Sequence, residues 1–158
     1  MNQQRRNAIA DQPQIPGILA FDDAHEYLSN FYPCRIVLDK KVYRTVEHAY
    51  QAAKTTDPDE RRWVRVQSTP GKAKRAGKRI TLRKDWDKVK IKVMTELVRQ
   101  KFEDPKLLRK LVNTRNAYLA EGNNWGDMFW GTVNGTGQNH LGRILMSIRR
   151  PYLLGKEL

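Results

Sequence analysis

Apolar residues recur along this chain in two rhythms. Between Ile18 and Tyr43 they come in short runs: Ile18-Leu19-Ala20-Phe21 reads as a strand, and Arg35-Ile36-Val37-Leu38 with Lys41-Val42-Tyr43 reads as a hairpin turning at Asp39-Lys40. Beyond Tyr43 the spacing lengthens to three and four, the period of a helix. Thr45 is placed to cap a helix running to about Thr55. Asp57-Pro58, Thr69-Pro70 and Asp104-Pro105 each set a capping side chain before a proline at the first helical position. The longest helix is expected from about Asp85 to Glu103. There Trp86, Val89, Val93 and Leu97, joined by Met94, Val98 and Phe102, form a wide apolar stripe opposite Lys88, Lys92 and Arg99. Leu107, Leu108, Leu111 and Val112 follow on the next helix, and Leu141, Ile144, Leu145 and Ile148 share one face of a last helix from about Gln138 to Arg149. The pattern predicts an α+β fold, a mainly α-helical single domain with a small β-sheet.

Residues 1–16 are polar and aperiodic and read as a flexible N-terminal arm before a domain over 17–158. At 158 residues and 39% hydrophobic content the chain can bury a real core, which excludes a disordered protein. The arm lacks the apolar centre of a signal peptide, and no run reaches the length of a membrane span, so a soluble, cytoplasmic protein with no membrane partner is expected. The single cysteine, Cys34, permits no internal disulfide and reads as a buried small hydrophobe beside Phe31 and Ile36. His25, His48 and His140 show no metal-ligand spacing and read as structural or solvated, so neither a metal nor a cofactor is expected. The formal net charge of +13 either serves solubility alone or raises the local concentration of polyanions and phosphorylated small molecules.

Candidate chemistry lies in two places. One is the loop Asn124-Trp125-Gly126-Asp127-Met128-Phe129-Trp130-Gly131, followed by Gly135-Thr136-Gly137-Gln138-Asn139. Its tryptophans offer flat surfaces to a sugar or base, and its glycines let backbone approach a ligand. Asp127 either forms a loop turn or, flanked by large aromatics, is partly desolvated and chemically tunable. Asn139 caps the last helix or helps aim its N–H groups at a phosphate admitted by Gly135 and Gly137. The other place is the Thr45 helix, where Glu47, Gln51 and Lys54 share one face and can line a cleft; the same positions of Glu47 and Lys54 also suit the helix dipole. Trp86 reads as core packing or as a site residue. The runs Lys72-Ala73-Lys74-Arg75 and Lys78-Arg79 read as a solvated basic face or as phosphate contacts.

Several segments together resemble the YbiA-like, or NADAR, family. They are Leu28-Ser29-Asn30-Phe31-Tyr32, Thr45-Val46-Glu47-His48-Ala49-Tyr50-Gln51-Ala52-Ala53-Lys54, Leu82-Arg83-Lys84-Asp85-Trp86, Lys101-Phe102, and Trp130-Gly131 with Asn139-His140-Leu141-Gly142-Arg143-Ile144-Leu145-Met146. The order is the family's, from about residue 18 to 150. The resemblance implies an N-glycosidase acting on a ribose-bearing substrate: either a ribosylamino riboflavin-pathway intermediate or ADP-ribose linked to guanine in nucleic acid. The basic charge favours the nucleic acid. Carried onto this chain, the family's catalytic positions are Glu47, Trp86 and Asp127, with Lys54 closing the helix motif; substrate contacts are implied for Asn30, Phe31, Gln51, Trp130, Gly131 and Asn139. The chain departs from the family in Thr132-Val133-Asn134, where many members carry Asp after the Trp-Gly pair, so the substrate is expected to differ more than the reaction. A carboxylate would oppose positive charge on the sugar and activate water; either Glu47 or Asp127 takes that role, and the other gives the leaving-group proton or holds the ribose hydroxyls. Lys54 offers a Schiff base with an opened ribose instead. Two other readings are a non-catalytic ADP-ribose or NAD binder and a basic DNA-binding module. No particular oligomeric state is implied.

Overall fold

The computed structural model describes residues 17–158; the arm expected over residues 1–16 lies outside the described residues. The fold is α+β, and its helices begin where the capping signals lie. We number them α1 (Val46–Ala53), α2 (Pro58–Arg65), α3 (Pro70–Ala76), α4 (Trp86–Lys101), α5 (Pro105–Asn113) and α6 (His140–Leu153). Thr45 Oγ1 accepts the His48 N–H at 3.1 Å, Asp57 accepts from Asp59 and Glu60, Thr69 from Lys72, and Asp104 from Lys106 and Leu107. Each cap satisfies N–H groups that the first helical turn leaves without partners. Asp85 is different: its carboxylate pairs with Arg83 at 2.6 Å instead of capping α4.

Helix α1 is the centre of the molecule. Every one of its residues is buried, and α2, α3 and α4 pack around it, while α6 packs against α4 and α5. A short 3-10 helix, Asp23–Leu28, delivers Tyr27 and Leu28 to the same core. No helix among the described residues is long and apolar enough to cross a membrane.

The expected hairpin forms. Strands β2 (Ile36–Leu38) and β3 (Lys41–Tyr43) pair antiparallel about Asp39 and Lys40, whose φ angles of 49° and 62° match the tight turn such strands favour. The single small sheet is corrected to two separate two-stranded pairs. Strand β1 is shorter than expected, Gly17–Ile18, and runs parallel to β4, Tyr118–Leu119, a partner about a hundred residues away. Cys34 is only partly buried.

Candidate active site

Five parts of the chain, α4 with Met94 among them, meet at one cleft of about 270 Å³. Helix α1 supplies Glu47, Tyr50, Gln51 and Lys54 along one face, as their three- and four-residue spacing dictates. The turn after the 3-10 helix adds Asn30 and Phe31, α3 adds Lys74, and the segment after β4 adds Glu121, Trp125, Asp127 and Trp130.

The α1 floor is tightly tied. The backbone carbonyl of Asn30 accepts the Glu47 N–H at 3.0 Å, and the Asn30 amide reaches Met94 Sδ at 3.4 Å. Lys101, buried at the far end of α4, donates to the Ser29 carbonyl at 2.7 Å and so props the same turn from behind. The Gln51 amide donates to Glu47 Oε1 at 2.8 Å. Gly77 permits this placement, because a side chain there would collide with Gln51 Oε1. Burial raises the Glu47 pKa, Asp127 adds to the rise, and Gln51, Lys74 and Lys54 oppose it. Lys54, which lies 5.5 Å from the Tyr50 ring centre, is shifted the other way: burial lowers its pKa, Glu47 resists, and Lys74 and Lys78 lower it further. A lysine with a depressed pKa is a better nucleophile near neutral pH.

Asp127 forms the turn that one reading of its loop expects. Its Oδ1 accepts N–H bonds from Phe129 at 3.1 Å and Trp130 at 2.9 Å, the turn an aspartate forms readily. The residue nevertheless lines the cleft, fixed on its other side by Asn123, which accepts the Asp127 N–H at 2.9 Å and donates to the Asp127 carbonyl at 2.8 Å. Trp130 meets the Tyr50 ring edge-on at 5.4 Å, while Trp125 and Phe31 stand exposed at the rim with Lys74 beside both rings.

Three expected site residues, Trp86 as a catalytic position and Gly131 and Asn139 as substrate contacts, lie behind the wall. Trp86 is 6% exposed and packs in a tilted contact against Tyr50 at 5.1 Å, so it supports the cleft from the core. Gly131 is buried against the Glu121 carbonyl, where a side chain would not fit. Asn139 is 1% exposed, makes no side-chain cap to α6, and ties together Glu121, Leu119 and Tyr118. The phosphate site anticipated there is corrected as well. The N–H groups of Gln138, Asn139, His140 and Leu141 go to the carbonyls of Met128, Gly131, Phe129 and Trp130, so these four donors at the start of α6 are spent on the loop and not on an anion.

Reasoning from the sequence missed Tyr50, Lys74, Met94 and Glu121 as lining residues. Tyr50 could have been found, since it lies three residues after Glu47 on the same helical face. Lys74 carried only the weak signal of its basic run, and Glu121 carried none.

Fold and cleft together describe a glycosidase: carboxylates facing a cavity, aromatic surfaces around it and a lysine in reach. The NADAR domain family matches residues 20–152, and the chain belongs to that family. It is similar to N-glycosidase YbiA of Escherichia coli strain K12, with 36% identity over 149 residues and 92% of each chain covered. An N-glycosidase of Nostoc punctiforme is 39% identical over 128 residues, covering 77% of this chain and 81% of that one. A riboflavin biosynthesis protein of Vibrio vulnificus is 36% identical over 138 residues; the match takes in 81% of this chain but spans only 36% of that longer protein. The NMR structure of Escherichia coli YbiA superposes with a TM-score of 0.76 at 34% identity, over 93% of this chain and 92% of that one. The chain is a hydrolase of N-glycosyl bonds.

Proposed function

We propose that this cleft hydrolyses the ribosyl C–N bond of a phosphorylated ribosylamino compound of the riboflavin-pathway type. The observation that carries the reading is the convergence of Glu47, Asp127 and Lys54 on one cavity. At about 270 Å³ the cavity falls just below the usual range of ligand pockets, ~300–1,000 Å³. A ribosyl group and its leaving base suit that size better than a whole dinucleotide does.

Chemistry follows from the bond. As C1–N breaks, its electron pair leaves with nitrogen and positive charge builds on the sugar. Asp127, held in a fixed direction by two N–H groups, opposes that charge and takes a proton from the water that adds to C1. Glu47 and Gln51, deeper on α1, hold the ribose hydroxyls, Tyr50 and Trp130 flank the sugar or base, and Lys74 meets the phosphate at the rim. Lys54 supplies a second route: ring opening of the ribosylamine makes C1 an iminium, the Lys54 amine adds there, the base leaves as a neutral amine with the proton, and water hydrolyses the resulting lysine imine to free the sugar.

A second reading, ADP-ribose removed from guanine in nucleic acid, is supported by the net charge of +13, which would hold a polyanion against the rim while only the ribosyl end enters. Both substrate classes, incubated separately with the purified protein and followed by mass spectrometry, distinguish the readings. Release of free sugar from the ribosylamino compound is expected, with Glu47→Gln slowing it by about 100-fold or more while circular dichroism is unchanged. Tight ADP-ribose binding without turnover of either substrate would leave a binding protein instead, and steeply salt-dependent DNA binding indifferent to Glu47 would leave a DNA-binding module.

A further inference from the structure

Glu121 belongs to none of the motifs above, yet it is the third carboxyl group of the cleft. Its backbone is clamped from several sides. The N–H donates to Asn139 Oδ1 at 3.2 Å, the carbonyl accepts from Thr132 N–H at 2.9 Å, and Gly131 lies so close to that carbonyl that no side chain could stand there. Asn139 and Gly131, which do not themselves reach the cleft, thus deliver Glu121 to it.

The three acids are held differently. Asp127 has one oxygen committed to two backbone N–H groups, and Glu47 has one committed to the Gln51 amide. The Glu121 carboxyl accepts no side-chain or backbone hydrogen bond from the described residues, so no hydrogen bond holds it in the ionised form or prevents it from turning toward a ligand. The charged groups facing it are Asp127 from its own loop, Glu47 from α1 and Lys74 from α3. Burial and the two neighbouring acids push its pKa up to about 7, against the smaller opposing pull of Lys74. Three carboxyl groups around one small cavity repel one another, so a proton is retained among them near neutral pH; burial raises both Glu47 and Glu121, and of these two Glu121 is the one whose carboxyl no hydrogen bond ties down.

We propose that Glu121 is the general acid that protonates the leaving nitrogen. This rests on the reading of the cleft as an N-ribosyl hydrolase. As the C1–N bond breaks and its electron pair passes to nitrogen, the Glu121 proton forms the new N–H bond. Water adds its oxygen to C1 and gives its proton to Asp127, from which solvent returns it to Glu121. One water is consumed and no redox change occurs.

The test is the pH profile of kcat on the ribosylamino substrate. The wild-type rate should fall as pH rises above about 7, because the acid loses its proton. Glu121→Gln should lower kcat by about 100-fold, remove that basic limb and recover part of the rate when imidazolium buffer is added. Glu121→Asp should keep the limb at reduced rate. A Glu121→Gln enzyme within about threefold of wild type, or one that is slow but keeps the same basic limb, would overturn the assignment while leaving the hydrolase intact. If Glu121→Gln does not fold, a wild-type profile without a basic limb overturns it equally. Wild-type protein that turns over neither substrate class would bring down the reading of the cleft itself, a result distinct from failure at Glu121 alone.

Discussion

Replacing Asn139 by alanine removes a side chain that joins β4, the start of α6 and the loop bearing Glu121. Asn139 accepts the Glu121 N–H at 3.2 Å and donates to the Leu119 carbonyl at 2.8 Å and the Tyr118 hydroxyl at 3.1 Å. Tyr118 is exposed, and its hydroxyl can turn to water at little cost. The two backbone groups face a side chain that is 1% exposed, and each stands to lose about 1.5 kcal/mol when left without a partner. The residue also has φ of 51°, a left-handed conformation that asparagine tolerates and alanine resists by about 1 kcal/mol. The sum is about 4 kcal/mol, or roughly 8–16 °C in the unfolding midpoint for a domain of this size. Differential scanning calorimetry of Asn139→Ala and Asn139→Gly separates the contributions. The glycine variant escapes the left-handed penalty and should be about 1 kcal/mol less damaged, before the entropic cost of glycine itself. An Asn139→Ala midpoint within about 3 °C of wild type would show that these bonds carry no weight and that Glu121 is held by other means.

Further expectations concern the groups behind and within the cleft. Gly77→Ala should destabilise by about 1–3 kcal/mol and slow turnover, because the new methyl displaces Gln51 from Glu47; unchanged stability and rate would refute that packing. Lys101 has its pKa lowered to about 8 by burial, so the unfolded chain binds more protons between about pH 8 and the ordinary lysine value of 10.5, and stability contributed at this residue rises across that window. Relative to wild type, Lys101→Met should therefore look better at pH 7 than at pH 10, by up to about 3 kcal/mol in urea unfolding, whereas a pH-independent difference would contradict the shift. Borohydride added during turnover should trap sugar on Lys54 if the imine route operates, and absence of an adduct on active enzyme would exclude it.

Much of this molecule was legible locally. Thr45, Asp57, Thr69 and Asp104 mark helix starts because a cap acts on N–H groups two or three residues away, within reach of a short stretch of sequence. Glu47, Gln51 and Lys54 could be placed on one face for the same reason. The β1–β4 pair could not be read, since parallel strands about a hundred residues apart leave no joint signal in either segment. Trp86 and Asn139 show the corresponding difficulty for the site. An aromatic residue on an apolar stripe, or an asparagine before a helix, is described equally well as wall or as support until its neighbours are known.

The sequence by itself determined the helices, the hairpin turn, the family and the acids at Glu47 and Asp127, all of which depend on residue type at short spacing. Tertiary structure decided which polar groups are already satisfied. It spent the N–H groups at the start of α6 on loop carbonyls, turned Asn139 inward as a clamp, and brought Glu121 and Lys74 to the cavity. Burial and hydrogen-bond partnership are properties of the packed neighbours, and in this fold those neighbours come from distant parts of the chain.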